Sequence, residues 1–379
     1  MQTLIFTGSG GDGIVLAAAA TARLVASQGQ RTLLASIGPS HGLKSLLGCV
    51  CSEAPQTVAP NLDVWELDVL GRMATLLETL RPRLFGVLAQ ISGDELPTLP
   101  GFDLFFGIEY IVQHIGASYD VVVIHAGSHE MFLRAMSVPD GFRWFLRLIL
   151  GLDRGPGRSA DSLNNALISA NLLPFEWIGK IQDVRVFLET LRDNALHVRN
   201  TTARYVLRPD ATGFDEASQA LPALQLHGLA VDALVVGPLL PTGAAETPIA
   251  SVAAHQQDIV TRATQTWQPR PILPLPLAEP AMNIDHLHTL GQTLYGTHNP
   301  CDTYGALSPI EVGDINDPFV AIRLPGLPRE ALSLTLSYEE LVVRAGAYRR
   351  HILLPDTLRG TNKIKATREG ERLIVRLRT

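Results

Sequence analysis

Cysteine is nearly missing from this chain: Cys49, Cys51 and Cys301 are the only three in 379 residues. So few thiols cannot build a disulfide framework, and they suit a reducing compartment. Cys49-Val50-Cys51 lacks the second pair that a structural zinc site needs, so no metal is expected. No apolar run reaches the roughly 18 residues of a membrane span. The first apolar stretch, Leu4 to Phe6, is too short for an export signal. A cytoplasmic protein with no integral membrane segment is the expectation. An excess of basic charge is also missing: the net charge is −6, which excludes nucleic acid as a general partner. Lysine is scarce, 4 against 27 arginines, a ratio that often follows genome base composition and from which no function is drawn. What the chain does have is a hydrophobic content of 46 %, enough for a substantial core and room for two domains.

Strand-like and helical runs alternate from Met1 to about Leu240. Residues 3–7 read as a buried strand, 14–28 as an Ala-rich helix ending near Gly29, and 31–37 as a second strand. The run "YDVVVIH" at 119–125 is almost continuously β-branched, as in a central parallel strand covered on both faces. Residues 202–207 and 231–236 supply two more. Helices between parallel strands imply right-handed crossovers, hence an α/β fold with a doubly wound, mostly parallel sheet. Residues 62–99 and 140–200 break the alternation and are expected to be helical insertions. In the second, Phe142, Phe145, Leu148 and Ile149 recur at helical spacing, while Trp144 and Leu146 lie off that face. Such a helix is either deeply buried or a surface for hydrophobic clients.

From Thr242 to about Asp317 the chain is expected to loosen, through the proline-punctuated "QPRPILPLPLAEP" and the turn-rich "GTHNPCDTYGALSP". Beyond it "PFVAIRLPGL", "LSLTLSYEELVVRAG" and "RLIVRLRT" alternate with period two, the pattern of an antiparallel β unit. The charge changes with the pattern. From Asp317 onward 12 basic residues face 7 acidic ones, net +5, which leaves −11 for the remainder. The expected organisation is an α/β domain over 1–305, a linker over 306–316 and a β domain over 317–379.

The first strand runs into Gly8-Ser9-Gly10-Gly11-Asp12-Gly13-Ile14-Val15. A working phosphate loop needs backbone N–H groups curled at a helix start, a lysine for the β/γ-phosphates and a hydroxyl for Mg²⁺. Glycines 8, 10, 11 and 13 keep the first. Ile14 and Val15 stand where the lysine and the hydroxyl belong, and Asp12 brings a negative charge to the place of a polyphosphate.

The run from Thr7 to Leu47 resembles the ArsA-type deviant P-loop ATPases, which comprise the arsenical-pump ATPase subunit and the tail-anchored-protein targeting ATPases. Their loop reads G-K-G-G-V-G-K-T-T, which places Ser9 at the lysine that crosses the dimer. Their motif L-L-x-S-T-D-P-A-H-S-L is echoed by "LLASIGPSHGL", with His41 retained and Gly38 at the aspartate that organises the attacking water. "HAGSHEMFLRAMSVP" resembles the switch that follows the central strand, with His125 at the Mg²⁺-supporting aspartate. Gly237 stands at the adenine-recognising asparagine. The resemblance implies a P-loop NTPase-like fold of the SIMIBI type with a helical subdomain. Scaffold residues persist, while those that would touch Mg²⁺, phosphate, water and base are replaced. An ion pair between Asp12 and His125 across the old pocket is one expectation.

The C-terminal segment is similar to the α-crystallin domain of small heat-shock proteins. Leu324-Pro325-Gly326, Leu341-Val342-Val343 with Gly346, Arg349-Arg350 with Leu354-Pro355, Ile364-Lys365-Ala366 and Leu373-Ile374-Val375 match its motifs in order. That implies a small β-sandwich, read as a docking or bracing module. The resulting expectation is a pseudo-ATPase that binds hydrophobic segments or partner proteins, with no cofactor and no catalytic residue, as a homodimer. ATP or ADP with Mg²⁺ enters only under the alternative, an anion-pump-type ATPase with residual hydrolysis. A structural partner for an active paralogue is the third reading.

Overall fold

In the computed structural model the described residues are 1–38, 42–47, 54–80, 92, 101–150, 176–197, 199–241, 249–278, 283–305, 308–314, 316–337, 340–359 and 364–377. His41, Cys49 and Cys51 lie outside them, as does most of the stretch 81–99 and all of 151–175.

Eight strands form one sheet. β1 (Gln2–Gly8) pairs with both β5 (Val121–Ser128) and β6 (Thr201–Leu207). Outward on one side come β2 (Thr32–Ser36), β4 (Leu62–Glu66) and β3 (Gln56–Ala59); on the other come β7 (Val231–Leu239) and β8 (Ile272–Pro276). Every pairing is parallel except β3 with β4. Alternate residues serve opposite faces, so Leu4, Phe6 and Val123 enter one apolar cluster and Ile5, Val122 and Ile124 the other. The first cluster is closed by α1 (Asp12–Ser27) and α10 (Ile284–Tyr295). Alanines 17–20 keep the two helices close: a Cβ at Gly291 would lie 2.6 Å from the Ala20 carbonyl oxygen. The second is closed by α4 (Phe102–Tyr110), α5 (His129–Met136), α8 (Ala211–Leu226) and α9 (Ala250–Trp267), which contribute Phe105, Phe132, Phe214 and Trp267. The doubly wound parallel sheet is therefore as expected.

Two stretches differ from expectation. Residues 62–66, expected within a helical insertion, form β4. Its backbone pairs with β2 and its Leu62, Val64 and Trp65 side chains are all buried, so sheet pairing overrides the weak helical period. Helix returns at α3 (Val69–Leu80) and, later in the chain, at α7 (Glu176–Ala195). The supposed loose stretch after Thr242 contains α9, β8 and α10 in regular order. "ILPLP" is a strand because β8 is the sheet edge, where Pro274 and Pro276 need no outward N–H. The turn-rich 296–305 is tied down by Arg204, wholly buried in β6. Its guanidinium donates to the Tyr295 hydroxyl and to the Pro300 and Asp302 carbonyl oxygens, the latter two at 2.6 and 3.2 Å. Asp232 stands 3.7 Å away as its counter-charge, and burial pushes that carboxyl up to about 6.

The C-terminal strands form two antiparallel sheets, β14-β15-β10-β9 and β11-β12-β13. They comprise β9 (Ile310–Val312), β10 (Phe319–Arg323), β11 (Leu332–Ser337), β12 (Glu340–Ala345), β13 (Tyr348–Leu353), β14 (Ile364–Glu369) and β15 (Arg372–Leu377). Val320, Ile322, Val343 and Val375 fill the space between the sheets. β9 lies inside the stretch expected to be linker: it pairs antiparallel with β10, and its Ile310 packs against the sandwich core while Val312 is exposed.

This unit is fastened to the first. Leu226, at the end of α8, belongs to the sandwich's own core. Buried Arg350 donates to the Leu226 carbonyl oxygen at 2.7 Å. Arg143, on α6 (Val138–Leu150), pairs with Glu340 at 2.6 Å, and both are buried. Gly326, at φ +70°, brings its turn over the Trp267 indole. No helix among the described residues is long and apolar enough to cross a membrane.

Candidate functional site

The glycine loop sits where the sheet changes direction, between β1 and α1, with β5 and β6 on either side. Gly8 is required by proximity: a Cβ there would fall 2.1 Å from the Val206 carbonyl oxygen of β6. Gly10 and Gly11, at φ +89° and +87°, turn the chain left-handed into the helix. Gly13 lies against Gly237 and Pro238, and no side-chain cap closes the start of α1. The left-handed glycines of a phosphate loop are thus kept, while the Ser9 N–H is donated to the Val206 carbonyl oxygen at 3.0 Å. The helix start is met from within the chain, because exposed Asp12 occupies the first helical turn, where a carboxylate is favoured by the helix dipole.

Ile14 and Val15 point the other way. Ile14 is 1 % exposed and Val15 is 7 % exposed, and both belong to the cluster beneath α1. Val15 also packs against Gly42 at the start of α2 (Gly42–Leu47), where an added Cβ would lie 3.2 Å from it. Side chains at 14 and 15 are part of the core rather than of a pocket.

The neighbouring strand ends carry polar groups that satisfy one another. His125, near the end of β5, is 3 % exposed and its Nδ1 lies 2.9 Å from the Ser36 hydroxyl on β2. Burial pushes its pKa down to about 4, so the ring is neutral at neutral pH. The expected Asp12–His125 ion pair is not formed: Asp12 is exposed while His125 is buried and bonded to Ser36. Gly38, expected at the position of the family's water-organising aspartate, leaves little space, since a Cβ would lie 3.4 Å from Gly127 and 3.5 Å from the His125 ring. Gly237 leaves none: a Cβ would lie 2.4 Å from the Leu275 carbonyl oxygen of β8.

Three further residues surround the loop that the motifs had not marked. His129, the first residue of α5, donates from Nδ1 to the Gly8 carbonyl oxygen at 2.9 Å. The Tyr205 hydroxyl lies 3.4 Å from that nitrogen and 3.3 Å from the Ser9 hydroxyl. Glu66, buried at the end of β4, accepts from the Leu43 N–H at 3.3 Å. His129 follows His125 by one helical turn in the sequence, the single signal that could have flagged it. Among the described residues no group of His, Cys, Asp and Glu could hold a metal ion.

Of the four candidate client residues, Phe142 is partly buried against the second cluster and lines a cavity of about 750 Å³ between α5, α6 and the sandwich. Phe145, Leu148 and Ile149 continue α6, and their side chains lie outside the described part. Trp144, off the expected face, is 54 % exposed.

The profile of the anion-transporting ATPase family matches residues 1–296, and that of the HSP20-like domain found in ArsA matches 318–377. A protein of Aquifex aeolicus provisionally named arsenical pump-driving ATPase 1 is 23 % identical over 99 % of both chains. An arsenical pump-driving ATPase, also provisionally named, of Prosthecochloris vibrioformis is 25 % identical over 95 % of this chain and 92 % of its own. An uncharacterised protein of Streptomyces coelicolor is 29 % identical over 95 % and 93 %.

Proposed function

The chain belongs to the anion-transporting ATPase family and carries its HSP20-like domain, and from that premise we propose a pseudo-ATPase: a protein that binds apolar segments or partner proteins and does not hydrolyse ATP. The observation that carries this reading is the burial of Ile14 in the core at the position of the phosphate-binding lysine. A polyphosphate would meet backbone N–H groups and the Asp12 carboxylate, with no lysine, no hydroxyl at 15 and no carboxylate at 125 to hold Mg²⁺. Each charge-assisted contact is worth about 1.5–3 kcal/mol. Losing two weakens binding by roughly 10²–10⁴-fold.

Isothermal titration with Mg-ATP and Mg-ADP is the test. No heat up to millimolar nucleotide is expected; micromolar binding would overturn the reading. The alternative, an anion-pump-type ATPase with residual activity, draws support from the preserved left-handed glycines 10 and 11 and from the names of the relatives. Steady phosphate release by wild type, lost on Gly10→Pro, would favour it. A homodimer is part of the proposal, and sedimentation at the monomer mass of 41.0 kDa alone would remove it.

A further inference from the structure

The cavity at the junction of the two domains is not absorbed by any nucleotide chemistry. Phe102, Leu133, Val138 and Phe142 make its walls apolar, and the β12–β13 turn closes one side with Ala347 and Tyr348. Two polar side chains lie on its floor, Ser137 and His227, and they are already occupied. The Ser137 hydroxyl lies 3.1 Å from His227 Nε2, and His227 Nδ1 donates to the Ala223 carbonyl oxygen at 2.9 Å. With those two groups bonded within the protein, the inner lining offers an occupant mainly apolar surface.

The mouth is different. Arg134 on α5 and Arg349 on β13 line it from opposite domains, and both are exposed. Among the described residues neither guanidinium has an ion-pair or hydrogen-bond partner. Among the described residues that line the cavity, Glu130, one turn before Arg134, is the one carboxylate, so these side chains carry a net positive charge. Two exposed guanidiniums above an apolar hollow are complementary to an anionic head on an apolar tail.

Size decides what kind of tail. The cavity holds about 750 Å³, within the range of small-ligand pockets. A membrane-spanning helix, about 30 Å long and 10 Å wide, displaces roughly 2,400 Å³ and does not fit. We propose that this cavity binds a single-chain amphiphilic carboxylate of the fatty-acid class, the acyl chain against Phe102 and Phe142 and the carboxylate between Arg134 and Arg349. This does not rest on the nucleotide reading, since the loop contributes no residue to the cavity.

The probe is sodium palmitate, titrated calorimetrically below its aggregation concentration, with hexadecanol as the uncharged control. One palmitate per chain is expected at micromolar affinity, and hexadecanol is expected to bind at least about tenfold more weakly. Gly141→Trp is the plug, placed at an exposed lining position where a Cβ meets nothing within 4 Å. It should abolish binding with an unchanged circular dichroism spectrum. Arg134→Glu with Arg349→Glu, both at exposed positions, should weaken palmitate by at least about tenfold and leave hexadecanol unchanged. Absence of palmitate binding to wild type, undiminished binding to Gly141→Trp, or equal affinity for hexadecanol would each overturn the proposal. Palmitate reads the cavity and Mg-ATP reads the loop, so failure of one is distinguishable from failure of the other.

Discussion

The glycine loop and the interdomain cavity both border α5, the loop at His129 and the cavity from Glu130 to Ser137, yet they treat polarity in opposite ways. Around the loop, polar groups are spent on each other: His125 on Ser36, His129 on Gly8, Glu66 on the start of α2. Around the cavity, Arg134 and Arg349 stand exposed above an apolar lining. A site that has closed on itself becomes part of the stability of the fold, whereas a site still open can lose a charged side chain at little cost. Substitutions at the two sites should therefore diverge.

The largest effect is expected from Ile14→Lys, which puts a charge into the cluster beneath α1. Stability by denaturant titration should fall by about 4 kcal/mol. An unchanged midpoint would mean that position 14 opens to solvent, and the contrast between the two sites would collapse. Acid should act next. His125 and His227 are held neutral by burial, both with pKa values of about 4 against an ordinary 6.5. Above pH 6.5 both states are neutral and stability is complete. As the pH falls from 6.5 to 4 the unfolded chain takes up protons that the folded chain refuses, so stability is lost. About 3 kcal/mol per histidine follows from roughly 1.4 kcal/mol per pH unit. A stability profile flat across that window, or one not flattened by His125→Asn, would contradict it. Ser36→Ala, which removes the hydroxyl partner of His125, should cost about 1 kcal/mol. Smallest of all, Arg134→Ala at the cavity mouth should stay within about 0.5 kcal/mol in the same titration. A loss comparable with Ser36→Ala would show that this arginine is spent on the fold as well.

Legibility in the sequence divided along similar lines. The strand "YDVVVIH" and the glycine loop were readable because local pattern and buried outcome agree there. "NLDVWEL" was misread because its buried residues, Leu62, Val64, Trp65 and Leu67, keep neither period cleanly. "PILPLPL" was misread because prolines signal loops unless the strand is known to lie at an edge, and edge position is a property of the whole sheet. Phe142 could be singled out from helical spacing. Its partners across the cavity could not, since Tyr348 and Arg349 reach it only once the sandwich has docked on α6 and α8. Buried Arg204 left no local signal, because an arginine in a strand is ordinarily a surface residue.

The bond from Arg350 to the Leu226 carbonyl oxygen spans 124 residues of chain. During synthesis the α/β domain leaves the ribosome first. At about 5–20 residues per second, roughly 6–25 seconds separate the emergence of the two partners. Through that interval α8 ends without its buried cation, and Leu226 faces water in place of the sandwich core. Helices and hairpins form in microseconds, so the wait is long on the scale of folding. A nascent chain of this protein thus carries an open apolar seam until the β-sandwich folds against it.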